Sequence, residues 1–340
     1  VLITGGGGFI GSNLANRLLS EGHAVTIFDN LSRSGGESNV QWLTARYEAD
    51  AFRLVRADLS DFDALRRAAE GAQRIYHLAG QVAVTTSVRD PRTDFQDNAL
   101  GTFNALEAAR LAGDDPIFLY ASTNKVYGGM EDVVVKEDTT RYYYRDLPMG
   151  VPETQPLDFH SPYGCSKGAG DQYTRDYARI YGLRTVVMRQ SCIYGYRQFG
   201  IEDQGWVAWF IIAALKKRPI SIFGDGKQVR DVLFVDDLLD AYDAAVRNID
   251  TAAGQVYNVG GGPDNTMSVW VEFGELLEEL LGRPVPITHG DWRPGDQHIY
   301  VSDIRKIARE LGWRPQVSVA DGVSRLFEWI RDNQELFAHL

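Results

Sequence analysis

A glycine-rich segment near the start of the chain restricts the possible folds more than any other feature. The apolar stretch 1–4 is predicted to be a strand, residues 5–11 a tight loop, and the residues up to Ser20 a helix. Glycines at positions 5, 8 and 11 let the backbone come close to a ligand, because no Cβ stands in the way. Amides at a helix N-terminus bind phosphate groups. The segment therefore predicts a dinucleotide site, with Gly5 and Gly8 beside the pyrophosphate.

A carboxylate follows the next predicted strand. Residues 24–28 are apolar and are followed by Asp29. A carboxylate at this place accepts hydrogen bonds from the ribose hydroxyls of adenosine and repels a 2′-phosphate, so the sequence favours NAD over NADP. Arg33 lies four residues further on and favours NADP instead, since an arginine there is able to stack on adenine or to bind a phosphate.

Strands and helices alternate through the first half of the chain. The predicted strands after Asp29 cover 52–57, 74–78, 116–120 and 184–189, and helices are predicted at 62–70 and 95–112. This alternation predicts an α/β fold, a doubly wound parallel (Rossmann) sheet whose ligand lies at the carboxyl ends of the strands. We expect this domain to span 1–190. Residues 191–340 are expected to form a smaller C-terminal α/β substrate-binding domain, partly interleaved with the first.

Two short segments after these strands complete the predicted dinucleotide site. Asp58 and Leu59 follow the strand at 52–57 and are placed to meet the adenine ring. Ala79, Gly80 and Gln81 follow the strand at 74–78, where small residues let a cofactor lie close to the backbone.

Charge and composition exclude several classes of partner. The net charge is −11, which argues against nucleic acid and anionic membranes, because both attract a basic face. An apolar run of about 18 residues, long enough to span a membrane, is not present in the sequence. The two cysteines, Cys165 and Cys192, give neither a disulfide framework nor a metal site, and a reducing cytoplasm fits them.

The segment 160–167 carries the predicted chemistry. Ser161 and Pro162 are typical of a helix N-cap and first turn, so Tyr163 and Lys167 become neighbours at i and i+4. A phenol has a pKa of about 10, and acid–base work near neutrality needs a shift of roughly 3 units, or ~4 kcal/mol. A lysine charge at ~4 Å supplies ~1 kcal/mol in water but ~4 kcal/mol at an effective dielectric near 20. The pair is therefore useful only where water is excluded.

Thr123 follows the predicted strand at 116–120. Thr123, Tyr163 and Lys167 together are typical of one protein family. The chain resembles the extended short-chain dehydrogenases/reductases of the nucleotide-sugar epimerase/dehydratase group over nearly its whole length. The resemblance implies that Tyr163 is the acid/base and that Thr123 holds the reacting hydroxyl. It implies that Lys167 binds the nicotinamide ribose and lowers the pKa of Tyr163. NAD is then expected to stay bound and to be regenerated in each turnover.

The complete predicted set of NAD contacts follows the ends of the first four predicted strands and adds three residues of predicted helices. It consists of Gly5, Gly8, Phe9, Ile10, Asp29, Asn30, Ser32, Arg33, Asp58, Leu59, Leu78, Ala79, Gly80, Gln81, Asn98, Tyr163 and Lys167.

The two residues after Thr123 help to distinguish between the reactions that this family catalyses. The 4,6-dehydratases of this family carry Asp-Glu there, an acid and a base for eliminating water, whereas this chain has Asn124 and Lys125. An amide and an ammonium group cannot do those two jobs, so dehydration is disfavoured and epimerisation remains.

Four longer segments resemble one branch of the family, the CDP-paratose/CDP-tyvelose 2-epimerases. They are Ala79–Ser87, Ser122–Gly128, Leu157–Gly168 and Asp203–Phe210. The resemblance implies epimerisation at C2 of a CDP-hexose through a 2-keto sugar. The predicted substrate contacts are Gln81, Thr123, Asn124, Gln190, Arg197, Val207, Phe223, Arg230 and Arg293. Arg230 and Arg293 are expected to grip the diphosphate, and Phe223 to border the base.

Alternatives remain open at this stage. A 4-epimerase acting on a UDP-, GDP- or dTDP-sugar would use the same catalytic residues, and a non-catalytic NAD-binding regulator is a further possibility that the retained Tyr163–Lys167 pair disfavours. The polar and aromatic insert 129–160 is expected to cover the sugar site. Tyr173, Tyr177 and Ile180 form a stripe on the helix after Ser161. Such a stripe normally packs in the core, but the family resemblance implies that it also packs in the interface of a homodimer or a dimer of dimers.

Overall fold

The structure is a computed structural model that describes residues 1–48, 50–292 and 297–338. The strands are β1 (Leu2–Thr4), β2 (Val25–Phe28), β3 (Phe52–Val55), β4 (Arg74–His77), β5 (Ile117–Thr123), β6 (Val135–Glu137), β7 (Tyr142–Tyr144), β8 (Thr185–Gln190), β9 (Cys192–Tyr194), β10 (Ile220–Phe223), β11 (Val229–Phe234), β12 (Gln255–Val259), β13 (Thr266–Ser268), β14 (Ile287–Gly290) and β15 (Ile299–Tyr300).

The α-helices are α1 (Phe9–Ser20), α2 (Gly36–Arg46), α3 (Phe62–Ala69), α4 (Val84–Arg89), α5 (Pro91–Asp94), α6 (Gly101–Ala112), α7 (Ser161–Tyr181), α8 (Trp206–Leu215), α9 (Val235–Arg247), α10 (Ile249–Ala252), α11 (Val271–Leu281), α12 (Arg305–Leu311) and α13 (Val319–Asp332). A π-helical segment, Phe95–Leu100, joins α5 to α6, and short 3₁₀ helices cover Asn124–Tyr127 and Gln334–Phe337.

A seven-stranded sheet forms the frame of the first unit, with the strand order β12-β8-β5-β4-β1-β2-β3. The pairs β1–β2, β1–β4, β2–β3 and β4–β5 are parallel. The order reverses at β1, which is the switch point at which doubly wound sheets bind ligands. The predicted doubly wound parallel sheet is thus confirmed.

Apolar side chains of the helices and strands pack into a continuous core in this unit. Leu65 of α3, Leu106 of α6, Phe118 of β5 and Val187 of β8 are all fully buried in it. Burial of a large apolar side chain contributes roughly 1.5–3 kcal/mol, so this core fixes the strand ends that carry the site.

The chain divides into two compact units, which differ in detail from the predicted boundary at 190. The first unit consists of 1–126, 161–189 and 242–257, and the second of 127–160, 190–241 and 258–340. Residues 242–257 return to the first unit because β12 forms the edge of its sheet beside β8. The insert joins the second unit because it is hydrogen-bonded there, for example from Tyr144 Oη to the carbonyl of Ile299 at 2.9 Å.

The second unit has smaller sheets. β11 pairs in parallel with β9 and β15 and antiparallel with β13, while β10 pairs with β14 and β6 with β7. Asp231 lies buried on β11 and accepts hydrogen bonds from Ser302 N at 3.1 Å and Gly262 N at 3.3 Å. Through the residues that the structure describes, no helix is both long and apolar enough to cross a membrane.

Candidate active site

The loop between β1 and α1 has the geometry of a phosphate cradle. Gly5 has φ +71°, and a Cβ there would lie 2.7 Å from the Ala79 nitrogen, so only glycine fits. Gly8 is the N-cap of α1, and it leaves Phe9 and Ile10 in the first turn without a side-chain cap or an acidic neighbour. Exposed N–H groups at a helix N-terminus suit an anion, and this arrangement fits the pyrophosphate of a dinucleotide.

Asp29 stands immediately after β2 with both carboxylate oxygens oriented by backbone. Oδ2 accepts a hydrogen bond from Gly7 N at 2.9 Å and Oδ1 one from Leu31 N at 2.8 Å. A carboxylate oxygen accepts more than one hydrogen bond, so each oxygen keeps capacity for a ribose hydroxyl. Asp29 therefore ties the glycine loop to the end of β2 and fits the predicted diol contact.

The ends of β2 and β3 are joined by side chains. Asn30 donates to Asp58 Oδ2 at 2.8 Å, and Ser32 N donates to the Asn30 side-chain oxygen at 3.0 Å. Hydrogen bonds from Ser60 lower the pKa of Asp58. The structure thus brings together Asn30, Ser32 and Asp58 at one sheet edge, as the predicted adenosine contacts require. Leu59, beside Asp58, is buried.

The backbone that follows β4 leaves room for a ligand to come close to it. Leu78 N donates to the Thr4 carbonyl at 3.2 Å, and Ala79 N donates to Thr4 Oγ1 at 3.3 Å. Gly80 has φ +146°, and a Cβ there would collide with the side-chain oxygen of Asn98. That buried oxygen has no hydrogen-bond partner among the residues the structure describes. An unsatisfied buried acceptor of this kind is the type of group that a bound ligand satisfies.

Thr123, Tyr163 and Lys167 are all buried in the first unit. Thr123 is the last residue of β5, and Tyr163 and Lys167 lie in the first two turns of α7. Ser161 Oγ accepts a hydrogen bond from Gly164 N at 3.2 Å, which is the predicted N-cap contact. Lys167 Nζ donates to the carbonyl of Ala121 at 2.6 Å. The strand end and the helix start therefore place the three side chains in the water-poor surroundings that the chemistry needs.

The pKa values in this group differ from the prediction. Burial raises the pKa of Tyr163 to about 12, and a hydrogen bond with Thr123 and the charge of Arg33 oppose this rise only in part. Burial lowers the pKa of Lys167 to about 7, against the carboxylates of Asp171 and Asp94. Burial in the protein alone therefore disfavours the ammonium form of Lys167, the form that the prediction uses to lower the pKa of Tyr163. Both shifts disfavour charge, and a bound cationic group would favour the phenolate.

A buried ion pair lies near Lys167. Arg189 on β8 donates to both carboxylate oxygens of Asp171 at 2.9 Å, and the two side chains are 2% and 0% exposed. Ser122 Oγ donates to Asp171 Oδ2 at 2.8 Å. These hydrogen bonds fix the Asp171 carboxylate near Lys167, whose ammonium form it favours.

The second unit contains most of the remaining predicted substrate residues. Arg230 on β11 is buried and donates a hydrogen bond to the Val229 carbonyl at 2.8 Å. Burial raises the pKa of Tyr144, and the charge of Arg230 opposes this rise in part. Arg197 is also buried, which lowers its pKa to about 10, and its guanidinium lies 5.7 Å from the centre of the Trp329 ring. Arginine is a common ligand of phosphate groups, so both side chains remain predicted substrate contacts.

The other predicted substrate residues differ in their accessibility. Val207 is 2% exposed and packs in the core of the second unit, so its side chain offers almost no accessible surface to a substrate. Phe223 is half-buried at the end of β10. Asn124 and Gln190 are buried at the ends of β5 and β8. Arg293 lies outside the described residues.

The insert 129–160 forms a hairpin of β6 and β7 within the second unit. Tyr142 Oη donates to Asp225 Oδ2 at 2.7 Å, and Arg141 forms two hydrogen bonds with Glu272, at 2.7 and 2.6 Å. The hairpin is therefore fixed to the segment that follows Phe223. Its predicted role as a cover for the sugar remains a prediction.

Sequence reasoning missed a buried carboxylate near the catalytic group. Asp94, the last residue of α5, accepts hydrogen bonds from Gln81, Asn98 and Ser166. Gln81 itself is folded back, because its amide nitrogen also donates to the Ala83 carbonyl at 2.7 Å. The i, i+4 spacing of Asp94 and Asn98 is a sequence signal that would have paired these two residues, whereas Ser166 is brought in only by the packing of α7.

Comparisons with known proteins find relatives over nearly the whole chain. Residues 2–326 match the family model described as GDP-mannose 4,6 dehydratase. The chain is 45% identical to CDP-paratose 2-epimerase of Salmonella typhi, over 97% of this chain and 98% of that protein. It is 34% identical to UDP-glucose 4-epimerase of Mycolicibacterium smegmatis, over 98% and 99%. The solved UDP-glucose 4-epimerase of Thermus thermophilus in complex with NAD superimposes with a TM-score of 0.82, at 31% identity and with 98% and 99% of the two chains covered.

Proposed function

The chain belongs to the GDP-mannose 4,6-dehydratase family of nucleotide-sugar enzymes, and from this premise we propose that it is an NAD-dependent 2-epimerase of a CDP-hexose. The observation that carries the proposal is the buried Thr123–Tyr163–Lys167 group, followed by an amide and an amine instead of the acid and base of a dehydratase. The similarity to CDP-paratose 2-epimerase over nearly the whole chain supports CDP as the nucleotide and C2 as the carbon.

NAD is the cofactor, and when bound it takes up a hydride from the sugar carbon and returns it. The uncapped start of α1 would hold the pyrophosphate, and Asp29 the adenosine ribose. Asn98 offers a buried amide oxygen next to Gly80.

Tyr163 performs the proton transfer in the proposed reaction. As a phenolate it accepts the proton of the 2-hydroxyl group, and as a phenol it gives the proton back after the hydride has returned to the other face. Thr123 acts to lower the pKa of Tyr163, and in the reaction it orients the sugar hydroxyl toward the phenolate. Lys167, held by the Ala121 carbonyl, supplies positive charge once the phenolate and the cofactor are present. The low accessibility of all three keeps water from competing for the proton.

Epimerisation requires no second acid, and this agrees with Asn124 and Lys125. Elimination of water from C5 and C6 would need a carboxylic acid and a carboxylate next to Thr123. Asn124 is buried and accepts a hydrogen bond from Thr123 Oγ1 at 3.3 Å. Its amide therefore orients the threonine and is unable to protonate a leaving hydroxyl.

Arginines of the second unit are proposed to anchor the substrate diphosphate. Arg230 and Arg197 are the described candidates, with Phe223 beside the base. With the diphosphate fixed, the hexose is free only to turn about its anomeric linkage, so both faces of the 2-keto sugar reach the same cofactor face.

A 4-epimerase is the second candidate. Its support is the 34% identity to UDP-glucose 4-epimerase, an enzyme for which the same catalytic group would serve. The two candidates share the catalytic residues and differ in the nucleotide of the substrate and in which sugar carbon lies beside Tyr163. A non-catalytic NAD-binding regulator is the third candidate, and the intact buried group disfavours it.

We further propose that the protein is a dimer in the cytoplasm. Apolar side chains of α6 and α7, notably Phe103, Tyr173 and Ile180, are exposed, with 65% exposure at Ile180. Ile180→Glu should convert the dimer to monomer in sedimentation, whereas Ile201→Glu, at an isoleucine of the second unit that is 41% exposed, should not. Equal masses for both variants and the parent protein would contradict this interface. The proposed cytoplasmic location rests on the composition, in which two cysteines are too few for a disulfide framework.

A substrate panel tests the function. The purified protein is incubated without added cofactor or reductant with CDP-, UDP-, GDP- and dTDP-hexoses, and the products are resolved by NMR. The proposal predicts a C2 epimer from a CDP-sugar only. A C4 epimer from a UDP-sugar would transfer the assignment to the second candidate.

A further inference from the structure

Asp94 is a buried carboxylate that the proposed chemistry leaves unexplained. It is 1% exposed and lies where α5 passes into the π-helical segment. Its oxygens accept hydrogen bonds from Ser166 Oγ at 2.6 Å, from Asn98 Nδ2 at 3.1 Å and from Gln81 Nε2 at 3.1 Å. Burying a charge without such partners costs several kcal/mol, and the three donors offset part of that cost for the Asp94 carboxylate.

The three donors come from three separate segments that border the catalytic group. Gln81 follows β4, Asn98 lies on the π-helical segment, and Ser166 lies on α7 between Tyr163 and Lys167. Asn98 Nδ2 also donates to Ser166 Oγ at 3.2 Å, which closes the network. A π-helical turn at this point, which is often found at functional sites, places Asn98 beside Asp94. One carboxylate thus determines where these three side chains stand.

The charge of Asp94 also acts on the catalytic pair. It raises the pKa of Tyr163, because a second negative charge nearby is unfavourable, and it supports the ammonium form of Lys167. The other titratable groups near it are Asp97, whose pKa burial and neighbouring carboxylates raise to about 6, and Tyr120. Burial raises the pKa of Asp94 itself, and the hydrogen bonds from Ser166 and Asn98 and the charge of Lys167 oppose this rise only in part.

We propose that Asp94 is a positioning residue: its carboxylate fixes Gln81, Asn98 and Ser166 around the Tyr163–Lys167 pair, and its charge sets the pH range in which the pair works. The inference rests on the proposed acid–base role of Tyr163 and does not depend on which sugar is the substrate.

The decisive variant is Asp94→Asn, which keeps the shape and removes the charge. Asp90→Asn is the matched control, since Asp90 is an exposed carboxylate four residues earlier that caps α5 by accepting from Thr93 N at 3.1 Å. Both holoenzymes are compared with the parent protein for NAD content, melting temperature, KM and the pH profile of kcat. We expect Asp94→Asn to retain NAD and to lose roughly 10- to 100-fold in kcat, since misplacement by about 1 Å has an effect of this order.

The pH profile separates positioning from a merely structural role. Removing a negative charge makes the phenolate easier to form, so the acidic limb of kcat should move to lower pH by about half a unit to one unit in Asp94→Asn. It should stay in place in Asp90→Asn. An unmoved limb, or a loss of activity that only follows loss of NAD or of folded protein, would overturn the proposal.

A second variant decides the case in which Asp94→Asn fails to fold. Ser166→Ala removes the 2.6 Å hydrogen bond and keeps the charge, so kcat should fall several-fold without a shift of the acidic limb. Unchanged kcat in Ser166→Ala would contradict the network.

Ultraviolet titration of the Tyr163 phenolate, taken as the difference from Tyr163→Phe, requires no sugar. A lower phenolate pKa in Asp94→Asn would support this inference even if no nucleotide sugar of the panel reacts, and an unchanged one would refute it even if the sugars react.

Discussion

The side-chain nitrogen of Lys167 lies 4.3 Å from the centre of the Tyr120 ring. The same nitrogen donates to the carbonyl of Ala121, so β5 holds the lysine at two successive residues. Thr123 lies at the end of that strand. Lysine and threonine are therefore positioned by one rigid element, while Tyr163 comes from α7. The face of the aromatic ring attracts the cationic form of the lysine.

Tyr163→Phe is expected to lose most of the turnover and to retain the ligands. The substitution removes only the hydroxyl that transfers the proton, and loss of a positioned acid/base lowers the rate by about 10²–10⁴-fold. Epimerisation rate and substrate Kd are measured for this variant and for Tyr173→Phe, a control on the exposed face of the same helix. Near-normal turnover in Tyr163→Phe would refute the catalytic assignment.

Asp29 is expected to select NAD. The purified protein should contain NAD rather than NADP, because the carboxylate repels a 2′-phosphate. Asp29→Asn should weaken NAD binding by about tenfold or more, since hydrogen bonds to charged groups contribute about 1.5–3 kcal/mol. Asp63→Asn, at an exposed carboxylate on α3, is the control. Extraction of mostly NADP, or unchanged NAD affinity in Asp29→Asn, would show that Asp29 does not bind the ribose.

The Arg189–Asp171 pair is expected to contribute strongly to stability. Arg189→Met would leave Asp171 buried and uncompensated, which costs about 3–5 kcal/mol in comparable buried pairs. The control is Arg66→Met, which breaks an exposed pair with Glu70 and should change the free energy of unfolding by less than about 1 kcal/mol. Urea unfolding of both variants gives the comparison. Similar values for the two would mean that the buried pair is not needed to hold Asp171.

Local sequence patterns predicted the features that depend on neighbouring residues. The glycine loop, the strands ending before Asp29 and Asp58, and the helix beginning at Ser161 all follow from turn chemistry and apolar periodicity, and the structure has each of them. The confirmed sheet also follows from alternation alone.

Features that depend on distant packing were not predictable in this way. β12 joins the edge of the sheet from residues 255–259, far along the chain from its neighbour β8. Burial raises the pKa of Tyr163 and lowers the pKa of Lys167, and the i, i+4 spacing of the two residues carries no information about burial. Asp94 and Ser166 meet only because α7 packs on the segment that contains α5.

Position-specific isotope labelling tests the central claim, removal of hydride from C2, most directly. CDP-glucose deuterated at C2 and, in a separate reaction, at C4 is incubated with the enzyme, and the rate and the deuterium content of the bound cofactor are followed. The account predicts a primary isotope effect and transient deuterated NADH with the C2 label only. An effect that follows the C4 label instead would contradict the account and identify a 4-epimerase.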